Sequence, residues 1–131
     1  MSEMTAIDRE IAEKILSEVE AGLASLLDRG TPHVIDLRRL PRMTEAAYNF
    51  VKEALGRGEA SILVDTNARV EITETSFPGV WWATYHRPAG EIATEIIEIT
   101  LVPRLLAVGK TEAAVGLNRL RKRNTNSTKA A

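Results

Sequence analysis

The chain has 131 residues, 44% apolar and 27% charged, a length and mix that fit one folded domain with a single core and exclude a disordered chain. It has no cysteine, which excludes disulfide frameworks, thiolate metal sites and cysteine nucleophiles. The formal net charge of -1 averages two unlike parts: residues 1–103 carry 10 basic and 17 acidic residues, a balance of -7, whereas residues 104–131 carry 7 basic residues and the acid Glu112, a balance of +6.

The start, Met1-Ser2-Glu3-Met4, lacks the basic and apolar blocks of a secretory leader. The longest uncharged apolar run, Leu105-Leu106-Ala107-Val108-Gly109, is too short to span a bilayer, so a cytoplasmic protein without a membrane partner is expected. Residues 7–29 have the period of an amphipathic helix, with Ile7, Ile11, Ile15, Val19, Leu23 and Leu26/Leu27 on one face. Glu3, Asp8, Glu10 and Glu13 suit its positive end, and Gly30 before Thr31-Pro32 suits its stop. His33-Val34-Ile35-Asp36-Leu37 reads as either a brief strand or an extended connector. Leu40-Pro41-Arg42-Met43-Thr44 leads into a second helix capped by Thr44, with Ala47, Phe50, Val51, Ala54 and Leu55 as its apolar stripe and Gly56-Arg57-Gly58 as its end.

From residue 60 the period becomes alternating. Ala60–Asp65, Arg69–Thr75, Val80–Arg87 and Glu91–Val102 read as four strands, the last stopped by Pro103. The turns at Phe77-Pro78-Gly79 and Pro88-Ala89-Gly90 are short, which favours antiparallel hairpins. Thr111–Arg123 has a weaker helical pattern, followed by a polar end, Asn124-Thr125-Asn126-Ser127-Thr128-Lys129. The expected fold is α+β: a four-stranded antiparallel meander with two N-terminal helices on one face and a C-terminal helix. The expected organisation is one domain over residues 1–118 and a basic, partly disordered tail over 119–131.

Little in the chain points to catalysis. His33 and His86 have no partner at metal-ligand spacing, so no metal or other cofactor is expected. Glu71 could pair with a glutamate of the fourth strand as acid and base, but Glu74, Glu91, Glu95 and Glu98 read first as a solvated outer sheet face. Gly56-Arg57-Gly58 precedes a strand rather than a helix, so it does not form a phosphate loop. Arg119-Leu120-Arg121-Lys122-Arg123 lacks interleaved aromatics, and the acidic body would repel a phosphate backbone; no nucleic-acid partner is expected. The aromatic residues are more informative, because four of the six fall between Phe77 and Tyr85. Adjacent Trp81 and Trp82 on a strand point to opposite faces. One enters the helix-covered core; the other is either an exposed anchor or is covered by residues 104–120.

Three blocks stand in order: Leu55-Gly56-Arg57-Gly58-Glu59-Ala60-Ser61-Ile62-Leu63, Gly79-Val80-Trp81-Trp82-Ala83-Thr84-Tyr85, and Glu95-Ile96-Ile97-Glu98-Ile99-Thr100-Leu101-Val102-Pro103. With the Leu40–Thr44 helix approach, this set resembles the C-terminal region of hydrogenase expression/formation proteins of the HupH/HyaF type, over about residues 38–103. The resemblance implies a non-catalytic accessory protein or chaperone for maturation of a nickel–iron uptake hydrogenase. Its implied partners are the iron–sulfur small-subunit precursor and other maturation proteins. Two features depart from the family: longer members have a substantial N-terminal region, and relatives tend to be acidic where this chain continues with Arg104-Leu105-Leu106 and its basic tail. The candidate partner-binding residues are Trp81, Trp82, Tyr85, Phe77 and Arg87. The alternatives are a homodimer or larger homo-oligomer joined through the exposed sheet, and a small-ligand-binding domain using Arg87, His86 and a fourth-strand glutamate.

Overall fold

Thr5 opens the first helix, α1 (Ala6–Arg29), through a reciprocal cap. Its hydroxyl accepts the Asp8 N–H at 3.0 Å while the Asp8 carboxylate accepts the Thr5 N–H at 2.9 Å. Gly30, at φ 70°, ends the helix in the left-handed region and donates its N–H to the Leu26 carbonyl. The other Asp8 oxygen accepts the Thr44 hydroxyl at 2.7 Å, and Thr44 itself caps α2 (Glu45–Leu55) by accepting the Ala47 N–H at 3.1 Å. One carboxylate therefore sets the two helix starts against each other. The computed structural model describes residues 4–40, 43–65 and 67–130; the expectations placed on residues 1–3 and on Pro41 and Arg42 lie outside these.

The strands are β1 (His33–Asp36), β2 (Ser61–Asp65), β3 (Arg69–Glu74), β4 (Val80–His86) and β5 (Ile92–Ile99), in one antiparallel sheet ordered β1-β5-β4-β3-β2. The β2-to-β5 meander is as expected, but the sheet has five strands and not four. His33–Asp36 pairs with β5, Ile35 opposite Ile97, and the Leu37 N–H extends the ladder to the Glu95 carbonyl. Four residues give too short an alternation to decide between strand and connector, and the pairing decides for the strand, with Ile35 buried at the pair it makes. The last strand also ends earlier than expected, at Ile99. The Thr100 N–H turns to the Gly79 carbonyl and its hydroxyl to the Val102 carbonyl, leaving Leu101 and Val102 exposed.

Alternation gives the sheet two apolar faces. On one, Ile35, Ile97, Ile99, Val80 and Trp82 meet Ile15 and Val19 of α1 and Ala47, Val51 and Leu55 of α2. The helix arrangement differs from two equivalent helices lying on the sheet: α1 lies along β5 and β1, while α2 packs chiefly on α1. Gly22 permits the α1 approach, because a Cβ there would sit 2.6 Å from Ile99 Cδ1. Ile7 and Leu27, expected in the α1 stripe, are exposed. On the opposite face Val70, Ile72, Trp81 and Ala83 form a second cluster, which Leu106 of a 3-10 turn (Arg104–Leu106) packs against, with Pro103 fully buried beside that turn. Each such side chain contributes about 1.5–3 kcal/mol on burial, so these two clusters, rather than surface ion pairs at about 0–1 kcal/mol each, hold the fold.

The chain then leaves the body as α3 (Lys110–Ala130). It starts one residue before the expected helix and continues through Asn124–Lys129, where a frayed end was expected. The Thr125 hydroxyl donates back to the Arg121 carbonyl across this stretch. Residue 118, the expected domain limit, lies inside this helix. Among the described residues no helix is long and apolar enough to cross a membrane.

Candidate functional site

The two tryptophans point to opposite faces, as alternation requires, and both are buried: Trp81 is 9% and Trp82 6% exposed. The Trp81 indole donates to the Thr100 carbonyl at 3.0 Å, in the segment that leads to Pro103 and Leu106. Trp82 meets Tyr48 of α2 edge to face at 5.6 Å between ring centroids. Tyr85 is half-buried beside Trp81, and burial followed by the Glu98 charge raises its pKa. Phe77, 48% exposed, lies in the turn before β4, and Arg87 is exposed just beyond its other end. The five candidates therefore do not converge: two are core, and the exposed pair is separated by the length of β4.

What does converge is Glu95. The expected solvated face of glutamates is corrected here, because Glu95 and Glu98 are both buried, on opposite sides of the sheet. Glu95, 5% exposed, accepts the Tyr48 hydroxyl at 2.7 Å on one oxygen, and the Trp82 indole and Thr84 hydroxyl, each at 2.9 Å, on the other. Burial opposes its ionisation, but the bonds from Trp82, Tyr48 and Thr84, with the Lys52 charge, outweigh that and hold its carboxyl below the ordinary range. Burial and the same carboxylate push the Tyr48 phenol up. Both Glu95 oxygens are thus committed within the fold, which suits a brace between α2 and the sheet and not a proton acceptor. Glu98 accepts the Arg104 N–H at 3.0 Å and so fixes the turn that covers the second face.

Glu71 does not pair with a β5 glutamate. It sits opposite Thr84, with β4 between it and Glu95, and faces Arg69 at 3.5 Å and His86 at 3.7 Å. The His86 ring is held on its other nitrogen by the Gly90 carbonyl at 3.1 Å, and the glutamate it meets is Glu71 of β3 rather than one of β5. Among the described residues no group of three or more His, Asp or Glu is placed to hold a metal ion.

An open groove of about 650 Å³ runs between α2 and the β2–β3 side of the sheet. It is lined by Trp82, Thr84 and Leu63 together with charges of both signs, Lys52 and Arg57 with Glu53 and Glu71. It meets the sheet edge at β2. The Ala60 carbonyl accepts the Glu74 N–H, so by alternation Ser61, Leu63 and Asp65 turn their backbone N–H and C=O groups away from β3. Leu63 is 58% exposed there. Edge strand and groove together offer main-chain pairing and side-chain pockets in one place, the requirements for adding a peptide strand. Which edge of the sheet is open is not legible from the sequence alone, although the Ile62–Val64 alternation already leaves Leu63 on the other face.

The profile described as HupH hydrogenase expression protein, C-terminal conserved region, matches residues 11–126. The chain is 30% identical over 91 residues to the hydrogenase expression/formation protein HupQ of Azotobacter chroococcum mcd 1, and 28% identical over 91 residues to HoxQ of Azotobacter vinelandii. Each match covers 70% of this chain and 32% of the relative, so the chain spans about a third of the length of these relatives. Its fold superposes on the hydrogenase expression protein HupH from Thiobacillus denitrificans ATCC 25259 with a TM-score of 0.83 and 31% identity, covering 88% of this chain and 95% of that one. The likeness therefore extends well beyond residues 38–103 and takes in α1 and most of α3. This chain belongs to the HupH family of hydrogenase expression proteins.

Proposed function

We propose that the chain acts in the cytoplasm as a non-catalytic chaperone in maturation of a nickel–iron uptake hydrogenase, holding the iron–sulfur small-subunit precursor through an extended segment added to β2. Family membership supports the pathway. The observation that carries the binding mode is the β2 edge, whose outward main-chain groups adjoin the groove under α2. Of the sequence candidates, Trp82 lines that groove, and Phe77 and Arg87 offer exposed contacts at the two ends of β4. The acidic body suits a precursor segment rich in arginine, such as a twin-arginine export signal, by long-range attraction. With no thiolate in the chain, assistance to an iron–sulfur subunit acts on its polypeptide.

The test is recovery of small-subunit precursor on the purified chain and on Leu63→Pro. Proline deletes the N–H that points away from β3 and leaves the ladder to β3 complete, so a folded L63P variant should lose the precursor. Full recovery on L63P, or no recovery on the parent chain, refutes the reading.

A further inference from the structure

Among the described residues, α3 packs on no other helix or strand of its own chain. Every side chain from residue 110 to residue 127 is exposed, and none of the ion pairs among the described residues involves it. At about 1.5 Å per residue it extends roughly 30 Å from the body. Helices of this size and polarity are marginal in water unless one face is packed. At about 3.6 residues per turn, Ala113, Leu117 and Leu120 fall on one face, with Arg121 on one flank of that stripe and Arg123 on the other.

A matching surface lies along α1. Among the described residues, a groove of about 360 Å³ has Ile7, Ile11 and Leu40 as its apolar floor, with Glu10, Lys14 and Glu18 beside it, Glu18 also meeting the His33 ring at 3.1 Å. Ile7 is 64% exposed there. The chain's own α3 does not cover this groove: none of its residues lines it, and Leu106, just before α3, is packed on the sheet face opposite α1.

We propose that α3 docks on a second copy of this chain, laying its Leu117–Leu120 face into the acidic-rimmed groove along that copy's α1. Reciprocal exchange closes a two-fold dimer and uses the contact twice, bringing a short apolar stripe toward the area that a stable interface needs. The opposed charges of the two parts of the chain, -7 and +6, are then complementary between copies.

Sedimentation of the full chain tests this. A dimer is expected at about 0.1 M salt, dissociating roughly tenfold more readily at about 1 M. Leu117→Asp/Leu120→Asp should be monomeric with the body's melting temperature unchanged, since both leucines are exposed. A paired swap tests the groove itself. Glu10→Lys/Glu18→Lys and Arg121→Glu/Arg123→Glu should each be monomeric alone and form a heterodimer when mixed, because both exchanged contacts then become complementary. A parent chain monomeric at every salt concentration, a dimer that survives L117D/L120D, or charge variants that fail to restore one another overturns the proposal. So does a monomer that instead retains duplex DNA through Arg119–Arg123.

Discussion

Replacing Glu95 tests whether a buried carboxylate braces α2 on the sheet. Glu95→Ala removes the acceptor of three donors. The Trp82 indole N–H is buried with its ring, so its loss costs the full desolvation penalty of about 1–3 kcal/mol. Tyr48 and Thr84 are half-buried and regain water for part of theirs, about 0.5–1 kcal/mol each. The expected loss is about 2–5 kcal/mol, read as a lower denaturant midpoint with unchanged slope. Glu95→Gln keeps the shape but turns an amide N–H toward one of the donors, so a loss of about 1–2 kcal/mol is expected. The pH dependence carries the sign. The folded carboxyl titrates below its ordinary value, so its contribution is complete above about pH 4.5 and is lost as pH falls through the depressed folded value. The gap between the parent chain and E95Q should therefore narrow in acid. Substituting Trp82→Phe in both backgrounds should show a coupling of about 1–2 kcal/mol. If E95Q matches the parent at pH 7, or the gap stays constant down to pH 3, the ionised brace is wrong.

Other substitutions probe the rest of the frame. Asp8→Ala removes the box with Thr5 and the link to Thr44 together, and a fall in melting temperature of about 5 °C is expected in thermal scans. Because Thr5 and Thr44 hold the Asp8 carboxyl below its ordinary range, that difference should shrink in acid below about pH 4. Trp81→Ala should cost about 3–5 kcal/mol by equilibrium unfolding, as a core truncation does; a folded, equally stable W81A would return Trp81 to the surface. Gly56 has φ 66° and ψ -161°, and a Cβ there would strike the Ser76 hydroxyl, so Gly56→Ala should lose about 1–3 kcal/mol where a solvated Gly→Ala in a compatible turn would gain.

Where the sequence was readable, one periodicity ran long enough to outvote local noise. The first helix with its stop at Gly30, the Thr44 cap of the second, the β2-to-β5 order and the opposite orientation of Trp81 and Trp82 all follow from spacing and turn chemistry. β1 stayed open between strand and connector because four residues with one buried isoleucine carry almost no period, and its partner lies some sixty residues away. The glutamates misled for a different reason. Charge type normally predicts exposure, but Glu95 is compensated by donors from α2 and β4, and Glu98 by a backbone N–H beyond Pro103, none of which are local in sequence. The aromatic run marks the sheet's centre, and of the two alternatives it left for the second tryptophan, exposed anchor or cover by residues 104–120, Trp81 takes the second, since Leu106 packs on its cluster. An indole on either face of a twice-covered strand is a packing residue.

That last point bears on why the chain looks chemically poor. A site that works through side chains must display particular residue types, and composition can find it. A sheet edge works through N–H and C=O groups that every residue but proline carries, and it leaves only a negative trace: a short strand with no proline and a hydrophobic side chain at an outward position. Ser61-Ile62-Leu63-Val64-Asp65 fits that description, and its flanking Asp65 and Arg69 are the kind of charges that discourage uncontrolled pairing of edge strands. A strand added there would gain affinity from the main chain and selectivity from what the groove beneath α2 accepts, so the groove rather than the aromatic run would decide which polypeptide is held. Glu95 enters at this step. By fixing α2 against β4 and β5 it sets the width of that groove, so under the proposed binding mode substitutions at Glu95 that leave the chain folded should change precursor binding, although both carboxylate oxygens are taken up within the fold.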